Sequence, residues 1–354
     1  MRQVLRVART DLSVRRFLGF GLAEVLPHHS TFSHAQCRRF ADSSVFEQLF
    51  TSVLRQCTDA GLVDGERLLI DATHVEADAA LKSLRAGLSG IEGGGEEPAA
   101  SGDARPDLAV CAPRSGPLPK RDASNATAVS RSDPDAKLRH KPGQRKHLVH
   151  RAQVAVDPKA RVIVAVEAEP ATGSEHEVLP TLVRRARFAG HAAREVAADS
   201  GYASRDSYQQ TAELGVLAYI PPKPNATYQD AVDARALMHT LAGVEAKIDR
   251  MVHAEGTISE LKLHGLTRAR ARGTRKLQLQ LLAAATAINL KRLLAHGDAH
   301  GAADAPGDHP AAQPLIRAST PGQRHTIANA LLTQLTATLN EIDRLTATDT
   351  STGS

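Results

Sequence analysis

Arg67-Leu68-Leu69-Ile70-Asp71-Ala72-Thr73-His74-Val75 is the stretch on which the fold turns. It follows an Asp64-Gly65 turn, and its unbroken Leu-Leu-Ile run predicts a strand buried on both faces, as expected at the centre of a sheet. Aspartate is disfavoured in strands, yet Asp71 closes this apolar run. A carboxylate there either begins a turn or serves chemistry, and the rest of the chain has to decide.

Downstream, strand patterns return in quick succession. Leu148 to Val156 and Arg161 to Glu167 flank Asp157-Pro158-Lys159-Ala160 and read as a hairpin. A helix is predicted after Ser174, with Val178, Leu179, Leu182 and Val183 on one face. Glu195 to Asp199 gives a fourth strand, leading through Ser200-Gly201-Tyr202 into a helix capped by Ser204. Val216 to Ile220 gives a fifth, stopped by Pro221-Pro222, and long helices are predicted over about 241–263 and 276–295. This is the element order of a ribonuclease H-like fold: an α/β mixed sheet flanked by helices, which places ligands at the carboxyl ends of parallel strands.

Upstream, residues 1–66 read as a helical region. Val45, Phe46, Leu49, Phe50, Val53 and Leu54 recur at one-face spacing and stop near Asp59-Ala60-Gly61. Pro27 ends one helix, Ser30 or Thr31 caps the next, and that next helix carries Arg38 and Arg39. A helix-turn-helix lying on a DNA groove and a plain helical cap on the core fit this segment equally well. Between about 82 and 145 the periodicity collapses into Gly93-Gly94-Gly95, prolines, Ser and Asp, the pattern of a long disordered insertion after the first strand. The catalytic domain is thus expected over 67–295. A low-complexity linker follows over 296–354, with a last helix carrying Leu332, Leu335, Leu339 and Ile342, enough to pack on a partner.

Two further carboxylates accompany Asp71. Asp199 ends the fourth strand, where Asp-Ser-Gly is also ordinary capping chemistry. Glu255 falls three beyond Val252 and three before Ile258, so the stripe Ile248, Met251, Val252, Ile258 predicts that it points inward. A buried carboxylate needs a cation: a metal, or a structural salt bridge to an arginine from the sheet. Acids converging from two strands and a helix suit paired divalent cations, the means by which phosphodiesters are cut.

Basic residues fall in two clusters. Arg268, Arg270, Arg272, Arg275 and Lys276 follow the Glu255 helix, and Arg139, Lys141, Arg145 and Lys146 close the insertion. Both read as phosphate-neutralising surfaces or as solvated charge. A formal charge of +5 over 354 residues favours a polyanionic partner only weakly. Three scattered cysteines exclude a disulfide framework or thiolate zinc site, no H-E-x-x-H or phosphate-loop run occurs, and no stretch has the length of a membrane span. A cytoplasmic protein is expected, associated with the nucleoid when bound to DNA.

The blocks Leu69-Ile70-Asp71-Ala72-Thr73-His74-Val75, Asp133-Pro134-Asp135-Ala136, Ala198-Asp199-Ser200-Gly201-Tyr202 and Ala254-Glu255-Gly256-Thr257-Ile258-Ser259 resemble the conserved stretches of bacterial insertion-sequence DDE transposases. So do His264-Gly265-Leu266, Arg268 to Gly273 and Ala287 to Arg292, in order along about 11–293. The resemblance implies Asp71, Asp199 and Glu255 as catalytic and metal-binding triad, with two Mg²⁺ ions for which Mn²⁺ substitutes. It implies cleavage and strand transfer on double-stranded DNA, at terminal inverted repeats and target, by a homodimer in the end complex. Only ten residues precede Asp11-Leu12-Ser13, where such proteins begin with a further helical stretch, and His28-His29 stand where they tend to carry an acid. The alternatives are a shortened, catalytically silent DNA-binding relative that represses transposition, and a structure-specific nuclease.

Overall fold

The computed structural model describes residues 2–31, 44–86, 124–125, 128–140, 145–172 and 175–300, with side chains to 297. The chain divides into two compact units, one within Met1–Leu62 and from Thr286 onward, the other Val63–Ala285.

In the first unit, helices α1 (Arg2–Val7) and α2 (Leu12–Phe17) precede α3 (Val45–Asp59). The Asp11 side chain caps α2 by accepting from the Ser13 and Val14 amides. α3 buries Phe50, Val53, Leu54 and Cys57, the face predicted from its spacing, and ends at Ala60 before Gly61 at φ +72°. Cys57 lies 3.7 Å from the Asn289 carbonyl, and burial pushes its thiol up to about 11, so it is a small core residue and not a nucleophile. Arg38 and Arg39 lie outside the described residues.

The second unit carries a six-stranded mixed sheet with a ribonuclease H-like arrangement. Its strands are β1 (Arg67–Glu76), β4 (Lys137–Arg139), β5 (His147–Asp157), β6 (Val162–Pro170), β7 (Glu195–Ala197) and β8 (Leu217–Tyr219). The order is β4-β5-β1-β7-β8, with β6 paired to β5. β1 is central, antiparallel to β5 and parallel to β7, and Leu68, Leu69 and Ile70 are fully buried as their apolar run requires. Helices α4 (Leu179–Phe188) and α5 (Arg205–Glu213) alternate with β7 and β8, and α6 (Gln229–Met238) and α7 (Leu241–Asp249) follow β8. A π-helical stretch (Arg250–Ala254) joins α7 to α8 (Glu255–Leu261), and α9 runs from Thr274 to His300.

Both ends of the predicted insertion carry short strands. Strands β2 (Leu84–Ala86) and β3 (Ala128–Ser130) form a second small sheet, and β4 adds an edge to the main one. Ala77, Leu84, Ala128, Ala136 and Leu148 make a satellite core there. Each contributing run is three residues long, too short to register as periodicity. Residues 87–123 lie outside the described residues.

Two blocks singled out in the sequence prove architectural. Asp133 and His150 form a fully buried pair, Oδ2 to Nε2 2.9 Å. Asp135 Oδ2 accepts from the Thr274 amide at 2.9 Å and its hydroxyl at 3.0 Å, tying the insertion to the first turn of α9. Those two hydrogen bonds hold the Asp135 carboxyl below the usual range. At the hairpin, burial opposes the charge of Asp157, but His191 and the amides of Gly65, Asp64 and Lys159 overcome it and keep the carboxyl low.

Candidate active site

The three carboxylates singled out in the sequence approach one another at the carboxyl end of the central strands. The parallel β1–β7 ladder ends at the pair Leu69–Ala197; Asp71 lies two residues beyond it on β1, and Asp199 two residues beyond it in the segment that leaves β7. Asp199 leaves the strand to cap the turn Ser200–Tyr202, accepting from the Gly201 amide at 2.9 Å. The ordinary capping role and the site role therefore coexist in one residue.

Glu255 arrives by a different route from the one its spacing suggested. Ile248, Met251 and Val252 are 54, 48 and 57 % exposed, and the Glu255 side chain is 55 % exposed, so of that stripe only Ile258 faces inward. The buried face carries Ala246, Ala254, Thr257, Ile258 and Leu261. The physical reason is the π-helical stretch, which inserts extra winding and breaks the 3.6-residue period. Glu255 lies at the site's solvent edge, whereas the Asp71 side chain is 13 % exposed. Gly256 beside it leaves room for the Arg161 side chain from the β5–β6 turn: an added Cβ would lie 3.2 Å from Arg161 Nη1.

A guanidinium joins the two acids. Arg250 Nη1 lies 3.2 Å from Asp71 Oδ2, and its Nη2 lies 3.4 Å from Glu255 Oε1. The salt bridge weighed for Glu255 thus exists, but its arginine comes from the preceding π-helical turn and not from the sheet. Burial pushes the Asp71 carboxyl above the ordinary aspartate range, and Asp199 and Glu255 add to the rise. The Ala72 amide and Arg250 work against it.

A fourth acid, Glu175, adjoins the group. Its carboxylate and Oδ1 of Asp199 meet over Gly201, where an added Cβ would fall on Glu175 Oε2. Burial raises its carboxyl, Arg151 at 3.7 Å lowers it, and Asp199 and Asp71 raise it again. Beneath, the fully buried Tyr202 donates to Gln153 Oε1 at 2.7 Å, and Gln153 donates to Glu169. Sequence reasoning missed Glu175 because its neighbours Arg151 and Gly201 lie on other elements, and it missed Arg250 because residues five apart diverge by about 140° on an α-helix.

Among the described residues no three His, Cys, Asp or Glu side chains stand together as a ready-made metal site. The donor chemistry nevertheless fits a hard divalent ion, since the ligands on offer are carboxylate oxygens. A cation already stands against two of them, in the form of the Arg250 guanidinium.

Basic side chains gather about five strand residues away, roughly 17 Å along β1 from Asp71 at the rise of an extended chain. After α8 the chain unwinds at His264 and Gly265, the latter at φ +96°, where an added Cβ would lie 2.8 Å from Arg270 Nη2. Thr267–Ala269 then lies beside the end of β1: Glu76 donates to the Thr267 carbonyl at 3.0 Å and accepts from the Ala269 amide at 2.7 Å. This places Arg268 and Arg272 in the lining of a cavity of about 1080 Å³, together with Arg145, Lys146, Lys82 and His147. A smaller cavity of about 230 Å³ shares Arg145 and His147 and adds Arg139. Asp78 is held at the rim by Arg268 at 3.4 Å and Arg272 at 3.8 Å.

Arg270 is exposed beside Gly265, and Arg275 and Lys276 are exposed in the first turn of α9, so none of the three lines either cavity. Lys141 lies outside the described residues. No described helix is long and apolar enough to cross a membrane.

The family profile for the transposase DDE domain matches residues 64–290, from the turn before β1 to the middle of α9. No curated protein matches the chain. The match spans all eight strands and the three converging acids, and on it the chain belongs to the transposase DDE domain family.

Proposed function

We propose that Asp71, Asp199 and Glu255 form the acidic centre with which this transposase cleaves the ends of an insertion sequence and transfers the strands. The observation that carries the assignment is the shared guanidinium: Asp71 and Glu255, remote in sequence, meet on Arg250, and Asp199 follows the end of the neighbouring strand β7. These three carboxylates are the groups that would hold Mg²⁺, or Mn²⁺ in its place. Bound there, a divalent ion supplies Lewis-acid polarisation of a phosphoryl oxygen and an acidified water.

The chain's own contribution to substrate handling is positional. Arg145, Lys146, Arg268 and Arg272 line one concave surface at the end of β1, and Arg139 lines its extension. Such a surface neutralises backbone phosphates and fixes the register of a strand whose reactive phosphorus lies at the carboxylates. Arg270, Arg275 and Lys276 continue the positive charge toward α9. Arg38, Arg39 and Lys141 complete the proposed contacts to the terminal inverted repeats and target DNA, with a homodimer holding the paired ends.

Cleavage of a cognate end in magnesium tests this. Asp71→Ala, Asp199→Ala and Glu255→Ala are each expected to abolish nicking and joining while retaining end binding. A variant that cuts as fast as the parent removes its residue from the centre.

A further inference from the structure

Arg250 occupies the place of a cation. Its two terminal nitrogens are spread between Asp71 and Glu255, and its side chain is 14 % exposed while Glu255 beside it is 55 % exposed. Asp71 and Glu255 bring two carboxylates to this one guanidinium, and Asp199 follows the neighbouring strand β7 by two residues. A guanidinium is permanently charged, so no change of pH within the physiological range releases it. The positive charge needed between the acids is thus present without a metal, and a metal arriving there meets a seat already taken.

We infer that Arg250 is a built-in competitor for the divalent ion. It holds Asp71 and Glu255 together in the metal-free protein and leaves them when the ion enters. This rests on the reading of those two residues as ligands. Arg250 is anchored on the same helical segment as Glu255, through the i→i+5 bond from the Glu255 amide to the Arg250 carbonyl. Its exit therefore needs only side-chain rotation toward the exposed edge, with the backbone that presents Glu255 left in place. The divalent ion wins by its double charge and by recruiting Asp199, which Arg250 does not touch.

Mn²⁺ binding to the full chain, read by electron paramagnetic resonance of the free ion, separates the possibilities without any cleavage assay. Arg250→Gln is expected to bind Mn²⁺ about tenfold more tightly than the parent, the factor that corresponds to losing one partly buried charge–charge competition. Arg250→Lys, which keeps the charge, is expected to stay within about twofold. Unchanged or weaker binding in Arg250→Gln overturns the inference and makes Arg250 a brace for the ligands instead. Asp71→Asn binding Mn²⁺ as well as the parent overturns the ligand reading itself.

A second measurement uses the unaltered protein. In a chain with ¹⁵N-labelled arginine, the guanidinium resonances missing from Arg250→Lys should show hindered rotation without metal and free rotation at saturating Mg²⁺. Hindered rotation that persists at saturation overturns the exchange.

Discussion

Arg250 and Glu255 are joined twice: the Glu255 amide donates to the Arg250 carbonyl in an i→i+5 bond, and Arg250 Nη2 lies 3.4 Å from Glu255 Oε1. The two links depend on each other. On a regular α-helix residues five apart diverge by about 140°, and only the wider π-turn sets them on one face. Removing the exposed Val252 would return the segment to α-helical winding with the pair at i, i+4, a spacing at which side chains also meet. We therefore expect a Val252 deletion to fold with stability within about 1 kcal/mol of the parent, by chemical denaturation. A loss of several times that would show that the extra residue is fixed by packing rather than by the ion pair.

Asp71 is held at a cost to the fold. Its carboxyl is raised by burial and by its acidic neighbours, so the metal-free folded state binds a proton more tightly than the unfolded chain does. For a group raised in this way, stability is fully present below the unfolded value and declines as pH climbs through the folded one. At neutral pH the ionised Asp71 is therefore a destabilising group, and Asp71→Asn should raise the melting temperature in EDTA by about 2 °C. The gain should vanish in acid. A melting temperature that falls at pH 7 would mean that the Arg250 contact outweighs desolvation.

Asp157 has the opposite sign. Its carboxyl is kept low by His191 at 3.1 Å and by the amides of Asp64, Gly65 and Lys159 at 2.9–3.0 Å. Its contribution is complete above the unfolded aspartate value and is lost as pH falls through the lowered folded value. Asp157→Ala strips an acceptor from buried donors and should cost about 3 kcal/mol at pH 7. The deficit relative to the parent should shrink progressively once the pH drops into the acid range, as a denaturation series on both proteins would read.

How far the sequence reveals this molecule depends on the range over which each element is encoded. Leu68-Leu69-Ile70 announces a central strand because burial on both faces needs an unbroken apolar run, and β1 lies between β5 and β7. α3 shows its buried face for the same local reason. Glu255 was singled out on a stripe of which only Ile258 faces inward, since a period argument presumes 3.6 residues per turn and the π-turn at Arg250–Ala254 violates it. Arg250 and Glu175 were invisible because each is defined by a partner from another element. The Asp133-Pro134-Asp135-Ala136 block was legible as a motif but not as architecture, since its partners, His150 and Thr274, are distant along the chain.

Asp135 offers a direct check of that architecture. Its side chain accepts from the Thr274 amide and hydroxyl, placing a negative charge at the start of α9. Asp135→Ala should cost about 1 kcal/mol, the scale of a lost helix cap. Hydrogen exchange should quicken at the first turn of α9 and in β4 together, because the one carboxylate ties both. Faster exchange in the helix alone would show that the insertion is held by its satellite core.

The basic cavity yields the most quantitative expectation. Arg145 and Arg268 both line it, and Asp78, also in its lining, neutralises part of the Arg268 charge. If each neutralises one phosphate, the slope of log binding constant against log salt on duplex DNA should fall by about 0.9 for Arg145→Ala, and less for Arg268→Ala. Asp78→Ala should steepen it, because freeing Arg268 and Arg272 adds effective positive charge to the same wall. These contacts touch backbone rather than bases, so cognate and random duplexes should weaken in parallel. Fluorescence anisotropy across a salt series on both duplexes measures all of this, and equal slopes for Arg145→Ala and the parent would place the DNA elsewhere on the protein.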